Sequence, residues 1–371
     1  MEKASFLQCL FNWILLVYTI YISIHYLNNT SYHNKKIERK VFYSCAIFCV
    51  LGFWAGDYWH LIVDYKNLLK GNSSDTNLET VYGYLATFAP TYLLFRIFIW
   101  GGVIFFVYKI NKLIIPLGYN KEFIYFFVTL CLMMFSYARV SLSMAIIYYC
   151  LAYFCIKPHR NIKNNIFLLI IFFASAYFHK SALFGISVSI IAYLIQKFNS
   201  KYIYILMIVA VPYLLQAASN QMEILLYKDP TEDTPLNLFA ARDYIDKDNY
   251  DNISNGWGVK IHSFLFYPIF YVSLMQYIVL RFKDKNMPQI IKIMGDCMAI
   301  IICSATIIYF YFGDFMYIMY YRLLNFALLP CCIYLAYIYN VHRKQILSNI
   351  LYYLCLCSTV YWMTYSTYNI L

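Results

Sequence analysis

Charge is what this sequence lacks most: only 13% of its 371 residues are Asp, Glu, Lys or Arg, about half the share of an ordinary soluble domain. With 62% of residues hydrophobic and 21% aromatic, there is too little polar material to cover a water-soluble surface, so a soluble globular fold is excluded. Outward-facing loops lack cysteine: all twelve cysteines fall inside apolar runs, which rules out a disulfide framework and leaves no zinc-ligand spacing. They read as small apolar core filler. The apolar runs are themselves nearly bare of charge, with only Arg96 and Asp296 inside them once Lys292 and Arg322, at two span edges, are counted with the adjoining loops. No small-residue cleavage site follows the first run, so it is kept as a helix and not as a removable signal peptide.

What is present is a succession of apolar runs of roughly 15 to 22 residues, each near the length needed to cross about 30 Å of hydrocarbon. They predict an all-α, polytopic integral membrane helix bundle, one domain over residues 1–371, with about twelve transmembrane helices. The expected spans are 5–27, 41–56, 92–108, 123–137, 140–156, 165–178, 181–196, 202–218, 262–280, 290–312, 322–340 and 346–366.

Loop charge orients the bundle, because alternate loops are basic. Residues 28–40, 109–122, 157–164, 197–201, 281–292 and 341–346 together carry +15, whereas the intervening loops carry −4. Short basic loops stay in the cytoplasm, so both the N and C termini are expected outside, with outer loops at 57–91 and 219–261. The net charge of +11 is therefore a signature of orientation, and no nucleic-acid partner is expected.

With sides assigned, the outward ionisable groups near the membrane form a short set: Asp57, His60, Glu79, Arg139, His179, Lys180, Arg242, His262, Asp314 and Arg322. Arg139 in FSYARVSLSMA, His179 in FHKSA and Arg322 each sit at a turn between two spans, where a charge near hydrocarbon is expensive and is usually retained for a partner. Lys180 by itself reads as a side chain snorkelling to headgroups. The loop 219–261 reads as a lid over an outward site, with Gly256-Trp257-Gly258 as its hinge and Tyr244, Tyr250 and Trp257 able to stack on sugar rings or to sit in an interfacial aromatic belt. Asp246-Lys247-Asp248, a spacing that also occurs in metal-dependent glycosyltransferases, lies in a uniformly acidic run and reads as solvated charge, so no metal and no cofactor are expected.

Arg139 followed by VSLSMAIIYYCLAYFCI, a basic turn, another span and FHKSAL resembles the EpsG family of membrane polysaccharide polymerases, a branch of the Wzy-like enzymes. GDYWHLIVDY around Asp57 and ETVYGYL from Glu79 are similar to that family's acidic stretches, here with Thr80-Val81-Tyr82 between Glu79 and Gly83. Arg242 and Arg322 resemble its outer-loop and C-terminal arginines. The resemblance covers most of the chain and is specific over 139–184.

It implies a glycosyltransferase at the outer face of a bacterial inner membrane. The enzyme joins oligosaccharide repeat units carried on undecaprenyl diphosphate, donor and acceptor alike, for O-antigen, capsule or exopolysaccharide, with a chain-length regulator as a further partner. On this reading Arg139, Arg242 and Arg322 pair with diphosphate oxygens, which a planar guanidinium does through two parallel hydrogen bonds. His179 is the expected base for the attacking sugar hydroxyl. Arg139, His179 and Arg322 form the catalytic set, and Asp57, Glu79, Arg242, His60 and Lys180 the substrate-binding set. A lipid-linked oligosaccharide flippase, an O-antigen ligase and a membrane acyltransferase stay open as rivals. The flippase would need polar residues along a path through the midplane.

Overall fold

The apolar runs fold as helices because a chain in hydrocarbon has no water to satisfy its backbone, and a helix satisfies it internally. The computed structural model describes residues 6–29, 34–52, 62, 65–67, 69–70, 80–136, 140–156, 162–179, 181–198, 257–312, 317–342 and 346–370. In chain order the helices are α1 (Phe6–Leu27), α2 (Lys35–Leu51), α3 (Thr80–Phe88), α4 (Tyr92–Leu117), α5 (Asn120–Phe126, continued to Phe135), α6 (Ser141–Ile156), α7 (Ile162–Ala174), α8 (Ala182–Phe198), α9 (Trp257–Lys283), α10 (Gln289–Phe312), α11 (Tyr317–Val341) and α12 (Ile346–Ile370). No strand occurs among the described residues. Six helices, α1, α4, α9, α10, α11 and α12, are long and apolar enough to cross a membrane, while α6, α7 and α8 are shorter apolar helices. The chain is a helical, multi-pass membrane protein.

Eleven of the expected spans overlap helices, six of them long and apolar enough to cross a membrane, and 202–218 lies outside the described residues. Boundaries moved for local reasons. Helix α2 starts at Lys35, six residues before the expected span, because the Asn34 side chain accepts from the backbone N–H of Lys36 and Ile37 at 3.2 Å each and so caps the first turn. Helix α4 runs on to Leu117, since Lys109 and Lys112 lie over the rings of Phe105 and Tyr108 at 5.1 and 4.7 Å and carry the helix through the interface. It stops where Ile115-Pro116-Leu117 tightens to a 3-10 turn and Gly118 takes φ +81°, a conformation a side chain would resist. Within the expected outer loop 57–91 the chain forms α3, and helix α9 begins at Trp257, inside the expected loop 219–261.

Helix α11 is the hub, with 89% of its apolar window buried against 33% for α9 and for α12. The peripheral helices instead present large apolar side chains outward, among them Phe6, Leu7 and Ile14 on α1 and Ile166, Phe167, Ile170 and Phe173 on α7. In water such a surface would aggregate; in a bilayer it faces lipid tails.

Irregular helix turns inside the bundle are satisfied by neighbours. Pro330 in α11 has no N–H for the carbonyl of Phe326, and the Tyr148 hydroxyl donates to that oxygen at 2.7 Å. Helix α5 passes through a π-helical turn at Phe127–Cys131. Near it, the Cys332 thiol donates to the Phe126 carbonyl at 3.3 Å and the Thr359 hydroxyl to that of Thr129. Cys332 thus does more than fill space. Ten of the cysteines are buried, whereas Cys303 and Cys357 are exposed.

Contacts between loops sort the bundle into two ends. Tyr26 meets Asn120, Lys121 reaches the Asn29 carbonyl, Lys112 pairs with Glu38, Asn340 donates to Glu122, Tyr337 donates to Asp284 and Gln196 donates to Asp296. The basic loops 28–40, 109–122 and 281–292, with the segments around 196 and 340, therefore gather at one end.

Candidate functional site

The opposite end holds the turn that carries His179. Helix α7 tightens to a 3-10 turn at Ser175–Tyr177 and the chain re-enters helix at Ala182. The turn is pinned from three directions. Ser143 of α6 donates to the Ser175 carbonyl at 2.9 Å, and the Ser175 hydroxyl donates to Phe172 at 2.6 Å. Tyr82, fully buried on α3, touches Phe178 on one side (6.4 Å between ring centres) and Phe95 on the other (6.3 Å). His179, half-buried, accepts from the Ala182 N–H through its carbonyl at 2.9 Å. Its Nδ1 lies 3.3 Å from the Ser181 backbone nitrogen and 2.5 Å from the Ser181 hydroxyl.

Arg322 is not at the expected turn between spans but inside α11, five residues after Tyr317, where it is exposed. It shares the end of the bundle with His179: Phe184 of α8 packs edge-on against Phe326 of α11 with ring centres 5.6 Å apart, the two helices run the same way, His179 lies in the turn just before α8, and Arg322 lies four residues before Phe326. At 1.5 Å per residue Arg322 stands about one turn, roughly 6 Å, beyond that contact. Gly185 makes the approach possible, since a Cβ there would lie 3.1 Å from the Phe326 ring.

Arg96 is the residue that sequence reading passed over. Only 3% exposed, it sits where α4 turns from α-helix into a π-helical turn at Ile97–Gly101. Its Nη2 donates at 2.6 Å to the carbonyl of Cys49, in the last turn of α2, and its guanidinium carbon stands 4.7 Å from the centre of the Trp100 ring. A cation on the C-terminal carbonyls of a helix is stabilised by the helix dipole. π-helical turns recur at functional sites, and Phe95 beside Arg96 leads through Tyr82 to Phe178 and the His179 turn. The signal available in the sequence was that Arg96 is a lone basic residue inside a span.

His262 belongs to packing. It is buried on α9, stacked on Phe266 at 4.9 Å and set against Trp362 at 4.2 Å and Tyr321 at 6.2 Å. Beside it the hydroxyls of Tyr271, Thr306 and Tyr320 join α9, α10 and α11 through bonds of 2.8 and 2.9 Å. Tyr65 donates to the Ala89 carbonyl, and burial pushes its phenol up.

Of the expected site residues, His179 and Arg322 are therefore brought to one end of the bundle. Asp57, His60, Glu79, Arg139, Lys180 and Arg242 lie outside the described residues, as do Asp314 and the Asp246-Lys247-Asp248 run. Among the described residues no group of three His, Cys, Asp or Glu is placed to hold a metal ion. No family model, no curated protein and no solved structure matches the chain.

Proposed function

We propose that the chain is a polysaccharide polymerase of the bacterial inner membrane, joining undecaprenyl-diphosphate-linked oligosaccharides at its outer face. The observation that carries this reading is the sorting of ionisable groups between the two ends. The basic loops meet at one end, which the positive-inside rule assigns to the cytoplasm. His179 stands at the other on a turn, and Arg322 in the second turn of α11, close to hydrocarbon, where lipid-linked diphosphates reside. On this reading the chain crosses the membrane about twelve times with both termini outside, and the loop 219–261 covers the site.

In the reaction an acceptor sugar hydroxyl attacks the anomeric carbon of the donor chain. The new glycosidic C–O bond forms as the bond to phosphate breaks, and undecaprenyl diphosphate leaves with the electron pair. Charge grows on the departing phosphate, so permanently charged guanidiniums at Arg139, Arg242 and Arg322 act where the transition state needs them. The packed interior around α11, rich in Leu, Ala, Cys and Ile, favours this reading over a flippase.

The purified protein in bilayers, given the undecaprenyl-diphosphate oligosaccharide, is expected to produce a ladder of longer chains with release of undecaprenyl diphosphate. Transfer only onto lipid A core makes it a ligase; movement of the substrate between leaflets without new bonds makes it a flippase. A reporter active only outside the cytoplasm, fused after Leu371, is expected to be active, and an inactive one overturns the orientation.

A further inference from the structure

The hub helix α11 carries an amide in an apolar setting. Asn325 is only 7% exposed, and its Oδ1 makes no hydrogen bond among the described residues. Ser141, 1% exposed in the first turn of α6, has a hydroxyl in the same state. Helix contacts turn the two toward one interval. Tyr321 and Cys332, four residues before Asn325 and seven after it, share its face of α11. Both meet α5: the Tyr321 hydroxyl donates to Met134 Sδ at 3.3 Å, and the Cys332 and Cys131 thiols stand 3.3 Å apart. Ser141 lies seven residues before Tyr148 on the same face of α6, and the Tyr148 hydroxyl donates to the carbonyl of Phe326, the residue after Asn325. The two unmet groups therefore face the interval between α5, α6 and α11, on the side of Phe326 that lies toward the His179 end. Arg322, three residues before Asn325 and about 4.5 Å nearer that end, is exposed. The hydroxyls of Tyr334 and Ser348 also make no hydrogen bond among the described residues, but they lie toward the basic end.

We infer that Asn325 and Ser141 are substrate-binding residues that hold hydroxyls of the lipid-linked oligosaccharide between α5, α6 and α11. A buried polar group that meets no partner is a net cost to the fold, and a leucine at 325 or an alanine at 141 would remove it. The chemistry of the two side chains selects the ligand. An amide oxygen only accepts, and so do the oxygens of an ionised diphosphate, so the phosphate half of the substrate leaves Asn325 Oδ1 unmet. A sugar hydroxyl donates and accepts, and satisfies both Oδ1 of Asn325 and Oγ of Ser141. The identity of the ligand as a lipid-linked oligosaccharide rests on the polymerase reading. The two unmet groups and their shared interval stand without it.

The test uses the full chain in bilayer discs and two soluble probes: the repeat-unit oligosaccharide of the cells that make the protein, freed of its lipid by mild acid, and inorganic pyrophosphate. Calorimetric titration is expected to show the oligosaccharide binding to the wild type. Asn325→Leu is expected to weaken that binding about tenfold, the effect of one lost hydrogen bond, and Ser141→Ala to weaken it less. Pyrophosphate binding is expected to be the same in all three proteins. The melting temperature of Asn325→Leu is expected to equal or exceed that of the wild type, because the substitution removes an unmet group. In the polymerisation assay its KM for the oligosaccharide is expected to rise by the same factor with kcat little changed. Oligosaccharide binding that both variants leave intact overturns the inference, and so does a wild type that binds none. An Asn325→Leu variant that melts well below wild type also overturns it, since that is the behaviour of an amide serving the fold. A wild type that binds the oligosaccharide through Asn325 but makes no longer chains removes the polymerase reading and leaves the sugar site. Longer chains made with the same KM by wild type and Asn325→Leu keep that reading and remove the site.

Discussion

The two ends of the bundle handle charge in opposite ways. At the basic end lie all four carboxylates among the described residues, and each is turned inward to a partner. Glu38 takes Asn111 at 2.6 Å and Lys112 at 3.1 Å, Glu122 takes Asn340 at 3.0 Å, Asp284 takes Tyr337, and Asp296, fully buried, takes Tyr277, Gln196 and Arg281. With the acids consumed by the fold, Lys35, Lys36, Arg39, Lys40 and Lys285 are left exposed to meet an anionic leaflet. The opposite end is built largely from aromatic rings and hydroxyls, and its described cationic groups are Arg96 on a helix terminus and Lys66, Lys70, Lys260 and Arg322 at the surface. One end uses charge to hold helices together. At the other, Arg96 also joins two helices, and on the proposed reading Arg322 is kept for a ligand.

If that division is right, substitutions at the basic end cost stability and spare the reaction, and substitutions at the other end do the reverse. The largest expected effect is at Asp296, because removing one partner of a buried network strands the others. Asp296→Ala is expected to lose about 3 to 5 kcal/mol of folding stability, read by thermal unfolding in detergent, while the folded fraction polymerises at the wild-type rate. Loss of activity in folded protein would break the comparison.

Next is Arg139→Lys, which keeps charge but loses the planar fork. It is expected to slow polymerisation by about a hundredfold or more, roughly 2 to 4 kcal/mol of transition-state stabilisation, with normal insertion and an unchanged melting temperature. A variant that melts early would make Arg139 structural.

Gly295→Ala sharpens the basic end further. The ring of Tyr277 lies so close that a Cβ would stand 2.1 Å from it, so the ring must swing away from Asp296 and the Lys292 carbonyl, which its hydroxyl now contacts at 2.8 Å. The expected cost is about 1 to 3 kcal/mol, and Asp296→Ala in the same chain should add less than its full effect, because the two share Tyr277. The smallest is Tyr148→Phe in the hub, which leaves the Phe326 carbonyl without the hydroxyl that replaces the missing Pro330 N–H; about 1 kcal/mol is expected, or up to about 3 if no other donor moves in. A double-mutant cycle with Pro330→Ala, which restores the N–H, should cancel most of it.

Periodicity had little to do with what could be read beforehand. Helix α6 is apolar around its whole circumference, so its sequence announces a buried helix and says nothing about which side meets which neighbour. The expected spans over α9 to α12 nevertheless correspond to helices, since twenty apolar residues in a bilayer have no other way to satisfy their backbone. Pro330 was visible, but Tyr148 as its remedy was not, for the two are 182 residues apart and nothing local connects them. The π-helical turn at Phe127–Cys131 carries no proline or glycine that would flag it, whereas the one at Ile97–Gly101 ends on the pair Gly101-Gly102. His179 was legible as an ionisable group at a tight turn. Its contact with Ser181 was not, because that depends on the rotamer that brings Nδ1 to the Ser181 nitrogen and hydroxyl.

Composition and the order of charged loops by themselves determined that this chain is a helical membrane protein and which of its segments share an end. Those properties depend on transfer free energies, which add residue by residue and need no partner. Only the tertiary structure decided that Asp296 and Glu38 are spent inside the fold, that Arg96 closes helix α2, and that the His179 ring meets Ser181, because each of these is a choice among neighbours that packing alone makes.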